Sequence, residues 1–282
     1  MNTMKAKMEI FNQADNRLAL HRFVGAGSPL LALHGFTGSG LDFAALAEHF
    51  AGSLHCPDLP GHGASGTPVA GQGERSGIEQ CSDTLLALMQ ASGMERPTLL
   101  GYSMGGRTAL TLALRHPGAV SASVLIGASP GLSDASAREQ RRALDEQRAR
   151  ELEQQGTAAF MDRWQELPLL RSQQRMPARH WQEFSARRRG ADPQGLAWSL
   201  RAMGTGAMPS LWEQLAELAV PTLMITGEQD ERYTAIAGEM ADKIPNARCE
   251  VIAAAGHSPH LEQPGAVAEL LTTYVLSIDR GS

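Results

Sequence analysis

The chain lacks the marks of several protein classes. It has only three cysteines in 282 residues, Cys56, Cys81 and Cys249. They lie far apart and make no metal-ligand spacing, so no metal site is expected from them; buried or incidental thiols are the simpler reading. No apolar run reaches the roughly 18 residues that span a bilayer, so no membrane insertion is expected. The opening stretch MNTMKAKMEIFNQADNRLAL has no apolar segment followed by a small-residue cleavage site, and a cytoplasmic protein is the expectation. A positive excess is missing too. The net charge of -5 argues against a nucleic-acid partner. It does not argue against a small anion, because a local basic pocket can sit inside an acidic protein. There is no internal repeat and no low-complexity linker, and the oligomeric state is left open.

The length suits one large α/β domain with an insertion, or two small domains, and 43% hydrophobic residues can bury a real core. In the first half, short apolar runs ending in glycine alternate with helical patterns. SPLLALHG (28–35), SLHCPDLPGHG (53–63), PTLLGYS (97–103) and SASVLIGASPG (121–131) read as strands with their following loops. IEQCSDTLLALMQASG (78–93) and MGGRTALTLALRHPG (104–118) read as helices. Such alternation implies βαβ units and a mostly parallel sheet. The pattern stops between residues 132 and 210, where a charged helical stretch from Arg138 to Gln155 is followed by more helical segments. It resumes at VPTLMITGEQD (220–230), continues through CEVIAAAGH (249–257) and closes with a helix from Pro264 to Ser277. The expected organisation is a core of 1–131 and 211–282 interrupted by a helical insertion, 132–210.

Three residues carry candidate chemistry. Ser103 lies in a Gly-x-Ser-x-Gly frame between a predicted strand and a predicted helix, where glycines permit a sharp turn that exposes the hydroxyl. The helix N-terminus behind it favours negative charge. A reactive serine needs a base, and the base needs an orienting carboxylate. Asp230 and His257 each follow a predicted strand, and the chain order Ser, Asp, His is the one an α/β-hydrolase topology requires. His260 is a weaker candidate for the base, because it falls toward a helix start. Stabilising an oxyanion takes converging backbone N–H groups; Met104 and Phe36, in LHGFTGSG (33–40), are the candidates. His34, Asp58 and His62 are expected to be structural. Arg107, one helical turn after Ser103, shares its face.

LHGFTGS, PDLPGHGAS, GYSMGGR and AGHSPHLEQP together resemble the α/β-hydrolase superfamily over nearly the whole chain. GYSMGGRTAL, GASPGL, the arginine-rich helix, WQELPLL and GEQDERYTAIAGEMADKIPNA resemble one branch of it, the 2-succinyl-6-hydroxy-2,4-cyclohexadiene-1-carboxylate (SHCHC) synthases of menaquinone biosynthesis. The resemblance implies an α/β-hydrolase fold with an inserted helical cap. It implies a lyase that eliminates pyruvate from 2-succinyl-5-enolpyruvyl-6-hydroxy-3-cyclohexene-1-carboxylate with no cofactor and no added water. Ser103, activated by His257 and Asp230, would act as a base, with Phe36 and Met104 stabilising an enolate-like charge. Arg107, Arg141 and Arg188 match substrate-binding arginines of the family, and Tyr102 and Trp164 match pocket positions. The register at Arg188 rests on counting back from LAWSLRAMGTG, and Arg187 and Arg189 flank it. The sequence departs from the family at Arg232 and Tyr233, where relatives usually carry lysine and phenylalanine, and at Gln165, where some carry tyrosine.

Two other functions compete. A hydrolase of ester or carbon–carbon bonds in a small carboxylated substrate would use the same three residues, but would leave the arginines unexplained. A ligand receptor could keep them without turnover.

Overall fold

The apolar runs alternate in which side they bury, and that alternation builds the sheet. In this computed structural model, residues 6–13, 16–27, 29–68 and 76–279 are described. Eight strands form one sheet in the order β1-β2-β4-β3-β5-β6-β7-β8. They are β1 (Lys7–Gln13), β2 (Asn16–Phe23), β3 (Leu30–Leu33), β4 (Leu54–Pro57), β5 (Thr98–Tyr102), β6 (Ala122–Ile126), β7 (Thr222–Gly227) and β8 (Ala247–Ile252). The pairs from β4 and β3 through β8 are parallel, while β1 and β2 pair antiparallel with each other and β2 pairs antiparallel with β4. Ser28, at the start of the first expected strand, lies outside the described residues. The β1–β2 hairpin was not expected from the sequence.

Successive strand residues face opposite sides. Leu31, Leu33, Leu99, Leu125 and Met224 enter one core layer. Leu30, Leu100, Val124, Ile126 and Ile225 enter the other. Both faces are covered, so the central strands read as continuous apolar runs rather than an alternation of apolar and polar residues.

The helices, in chain order, are α1 (Ala44–Ala47), α2 (Gly77–Ala91), α3 (Met104–Arg115), α4 (Ala135–Trp164), α5 (Ala178–Arg189), α6 (Pro193–Met203), α7 (Glu231–Ala241), α8 (Pro259–Glu262) and α9 (Pro264–Asp279). α2 starts from a capping box between Ser76 and Glu79. With α3 it buries Ile78, Leu85, Leu110 and Leu112 on one face of the sheet. α9 buries Val267 and Leu271 on the other.

No strand occurs between β6 and β7; α4, α5 and α6 fill that span. Asp134 caps α4 by accepting from the Ala137 N–H, and the helical path breaks at Gly156, with φ 78°. The charged stretch expected as one helix is therefore the first limb of α4. The second limb turns back so that Phe160 and Met161 pack with Leu152, Leu196 and Leu200 in a core of their own. α6 lies tight on the sheet half: a Cβ on Gly61 or on Gly195 would strike the backbone of the other. No helix among the described residues is long and apolar enough to cross a membrane.

Candidate active site

Ser103 sits where β5 turns directly into α3, with φ 51° and ψ -107°. A side chain in that region is strained and is held there by its surroundings. Its N–H donates to the Ile126 carbonyl at 2.8 Å. The flanking glycines are needed for closeness: a Cβ on Gly101 would meet the Gly105 carbonyl, and one on Gly105 would meet the Leu33 carbonyl. α3 can therefore start against β3 and β5, which lifts the serine hydroxyl above the strand ends.

Asp230 follows β7 and caps α7, one carboxylate oxygen accepting from the Tyr233 N–H at 3.2 Å. Its other oxygen lies 2.6 Å from His257 Nδ1. His257 Nε2 lies 3.1 Å from Ser103 Oγ. An ionised carboxylate only accepts, so Nδ1 carries the proton and Nε2 is left to accept from the serine hydroxyl. Asp230 is 5% and His257 2% exposed, so little water competes for these bonds. Gly127 leaves room for the ring, since a Cβ there would lie 2.8 Å from His257 Cε1. Glu262 fixes the loop, accepting from the N–H groups on either side of the histidine, Gly256 at 2.8 Å and Ser258 at 3.2 Å. Met104 opens α3, and the first N–H groups of a helix have no intrahelical acceptor. Phe36 and Met104 both line the cavity above Ser103.

The other titratable groups nearby face elsewhere. Asp58 accepts from the Gly40 and Ala64 N–H groups and contacts His21. His34 Nδ1 faces the Gly35 carbonyl, and Nε2 accepts from the Leu59 N–H. Burial pushes His62 and His260 down to about 3. The His260 ring packs between Phe43 and Tyr102 and does not reach Ser103.

Two hollows meet at Ser103. The larger, about 670 Å³, is lined by Arg107, Arg141, Arg148, Arg232 and Tyr233 among others. A narrower cleft is lined by Tyr102, His257, Gln173 and Arg188. Ser103, Phe36 and Trp164 border both. Each arginine expected at the site borders one of them, but their surroundings differ. Arg107 is 8% exposed, and Nη1 donates to the Met203 carbonyl at 2.8 Å and to Met208 sulfur. Arg188 is 3% exposed and donates to Thr37 Oγ1 at 2.8 Å and Gln173 Oε1 at 3.0 Å. Burial lowers each to about 10, so both stay cationic at neutral pH with only neutral hydrogen-bond acceptors. Arg141 instead donates from Nε to both oxygens of Asp145. Arg148 also pairs with Asp145, and it lies over the Trp164 ring. The flanking arginines are engaged elsewhere, Arg187 with Asp42 and Arg189 with Asp162. Among the described residues, no group of three or more His, Cys, Asp or Glu side chains could hold a metal ion.

Gln173, Arg148 and Tyr233 also line the hollows, Thr37 and Asp145 hold arginines that do, and none of the five was singled out from the sequence as a site residue. No local motif marks them. Tyr233 alone had a signal, its place three residues after Asp230, and its ring centroid lies 4.4 Å from that of His257.

Known proteins share this architecture. The family described as alpha/beta hydrolase fold matches residues 28–264. A Bacillus subtilis (strain 168) protein, provisionally named a 2-succinyl-6-hydroxy-2,4-cyclohexadiene-1-carboxylate synthase, is 37% identical over 78% of this chain and 80% of its own. A Salmonella schwarzengrund (strain CVM19633) protein with that name, unqualified, is 33% identical over 76% of this chain and 80% of its own. The solved structure of MenH from S. aureus superposes with a TM-score of 0.84 at 31% identity, covering 92% of this chain and 98% of that one. A thermophilic esterase from Thermogutta terrifontis, solved with malate bound, gives a TM-score of 0.81 at 25% identity, over 97% and 99% of the two chains.

Proposed function

The chain belongs to the α/β-hydrolase fold family and, within it, to the SHCHC synthases, and on that premise we propose that it is a pyruvate-eliminating lyase of menaquinone biosynthesis, acting in the cytoplasm. Ser103, His257 and Asp230 form its catalytic triad. The substrate is 2-succinyl-5-enolpyruvyl-6-hydroxy-3-cyclohexene-1-carboxylate. Residues 132–210 act as a cap over a core of 1–131 and 211–282.

The acidic ring proton is the one α to the succinyl ketone. Ser103 Oγ removes it as its own proton passes to His257 Nε2, and the Asp230 carboxylate stabilises the imidazolium. The electron pair from the broken C–H bond moves toward the succinyl carbonyl, giving an enolate. The N–H groups of Phe36 and Met104 receive the charge on the succinyl oxygen. The pair then shifts through the ring double bond and expels the enolpyruvyl oxygen. The oxygen departs as the enolate of pyruvate, takes the proton held on His257, and the resulting enol tautomerises to pyruvate. No water enters and the serine is not acylated.

One observation carries this reading. Arg107 and Arg188 are buried guanidinium groups with neutral hydrogen-bond acceptors, one in each hollow beside Ser103. Leaving an ion out of water without a counter-ion costs several kcal/mol. A substrate with a carboxylate at each end supplies the missing partners, and arginine matches carboxylates as a bidentate fork. Arg141 adds a third cation, and Tyr102 and Trp164 shape the walls. A neutral ester would leave both charges unpaired.

The test is incubation with the enzymatically generated enolpyruvyl cyclohexene, following pyruvate release. Rapid turnover of a p-nitrophenyl ester with no pyruvate released would instead establish a serine hydrolase. Binding without any turnover would establish a receptor.

A further inference from the structure

Arg188 is held in place without being neutralised. Its Nε donates to the Thr37 hydroxyl and its Nη1 to the Gln173 side-chain oxygen, which uses two of the five donors an arginine carries. The neighbouring carboxylate, Asp42, lines the same cleft and attracts Arg188 from a distance, but its hydrogen bonds come from Arg187 at 3.0 Å and the Ser39 N–H at 3.1 Å. Gln173 is buried, on the 3-10 turn Arg171–Arg175. Its amide has one orientation that fits. The oxygen must face the guanidinium, so the NH2 group donates to Ser258 Oγ at 2.7 Å. Ser258 Oγ lies 2.6 Å from the Tyr102 hydroxyl. One neutral side chain thus joins the arginine of the narrow cleft to the residue after His257.

We propose that Gln173 determines specificity for an anionic substrate: it meets Arg188 with an uncharged oxygen and so leaves the guanidinium without a hydrogen-bonded anion, free to pair with a substrate carboxylate. A carboxylate of the same shape at this position would make the same contact, form an ion pair with Arg188 and compete with the substrate. Gln173 acts through Arg188, and the property that matters is its neutrality. The inference rests on the reading of Arg188 as an anion-binding residue.

The full chain is assayed for pyruvate release as wild type, Gln173→Glu, Gln173→Met and Arg188→Met, with KM, kcat and Tm measured for each. Gln173→Glu is expected to raise KM by about tenfold or more, the scale of one charge-assisted hydrogen bond, with kcat within about threefold and Tm no lower. Gln173→Met, which keeps neutrality and loses the hydrogen bonds, is expected to raise KM by less than about threefold. If Met raises KM as much as Glu does, position matters and charge does not, and the proposal is overturned. If Gln173→Glu leaves KM unchanged while Arg188→Met raises it, the proposal falls and the role of Arg188 stands. An unchanged KM in Arg188→Met overturns the role of Arg188 itself. Should wild type release no pyruvate, calorimetric titration with malate decides between the same outcomes. If Gln173→Glu folds poorly, Thr37→Asp brings the same charge from the other side. Thr37 has φ 66°, a conformation aspartate tolerates better than threonine, so a KM within about twofold of wild type there overturns the proposal.

Discussion

The sheet half and the helical insertion use charge in opposite ways. In the sheet half the two ionisable groups that reach Ser103 are buried and are set by backbone contacts: Asp230 by the start of α7, His257 by Glu262 through its neighbours' N–H groups. In the insertion, arginines and acids crowd the surface. Arg201 binds Glu146 and Glu153, and with Arg150 it pulls the Glu146 carboxyl down to about 2. Exposed pairs of this kind contribute little to stability. Arg188 belongs to the same insertion but faces the sheet half, and there it has neutral partners. The residue type is shared, and the function of each copy depends on which surface it lands on.

The sharpest break of this comparison lies in the sheet half. Ser103→Ala and His257→Ala are each expected to lower kcat by about 10³-fold or more, and the double variant no further, because the groups act as a unit. Additive losses in steady-state kinetics would show that the two work independently.

Next comes the contrast between arginines. Arg107→Met is expected to lower kcat/KM for the carboxylated substrate by about 10²-fold, the scale of losing charge-assisted contacts in a dry site. Arg201→Met should change it by less than about twofold, since its partners are exposed. Comparable losses in the two would erase the distinction.

Asp145 stands between these cases. It is buried and holds both Arg141 and Arg148. Asp145→Asn is expected to raise KM by about tenfold at nearly constant kcat, because the two arginines lose their anchor rather than their charge. A fall in kcat alone would place Asp145 in the chemistry instead.

The smallest effect separates the halves by pH. His260 is held neutral, lowered from 6.5 to about 3. Between those values the unfolded chain binds a proton that the folded chain refuses. The stability contribution is therefore complete above about pH 6.5 and is lost as pH falls toward 3. Glu146 is lowered as well, from 4.5 to about 2, so its contribution has the same sign but a lower window, complete above about pH 4.5 and lost as pH falls toward 2. Tm should accordingly decline from pH 6.5 to 4 in wild type, and less steeply in His260→Phe, a ring that suits the Phe43 and Tyr102 contacts. Identical slopes would remove His260 from the acid response.

The residues of the sheet half were easy to read because each sits in its own short frame. Ser103 has its glycines, and Asp230 and His257 follow apolar runs that end in loops. The β1–β2 hairpin escaped notice because β1 is an edge strand on which Met8 and Ile10 stay exposed, so no buried run marks it. The insertion was legible as helical from composition, yet its arginines could not be sorted. Arg187, Arg188 and Arg189 are identical letters in a row. About 100° of helical rotation per residue sends them to Asp42, to Thr37 with Gln173, and to Asp162.

By itself the amino-acid order determined the parallel sheet, the strained turn at Ser103 and the sequence of serine, aspartate and histidine along it, because those depend on local periodicity and on glycine where a side chain cannot fit. Only the tertiary structure decided which guanidinium groups are left with neutral partners. That depends on what packs against each one from segments as distant as Thr37 and Arg188, and on the cost of burying a charge, which no local stretch of sequence records.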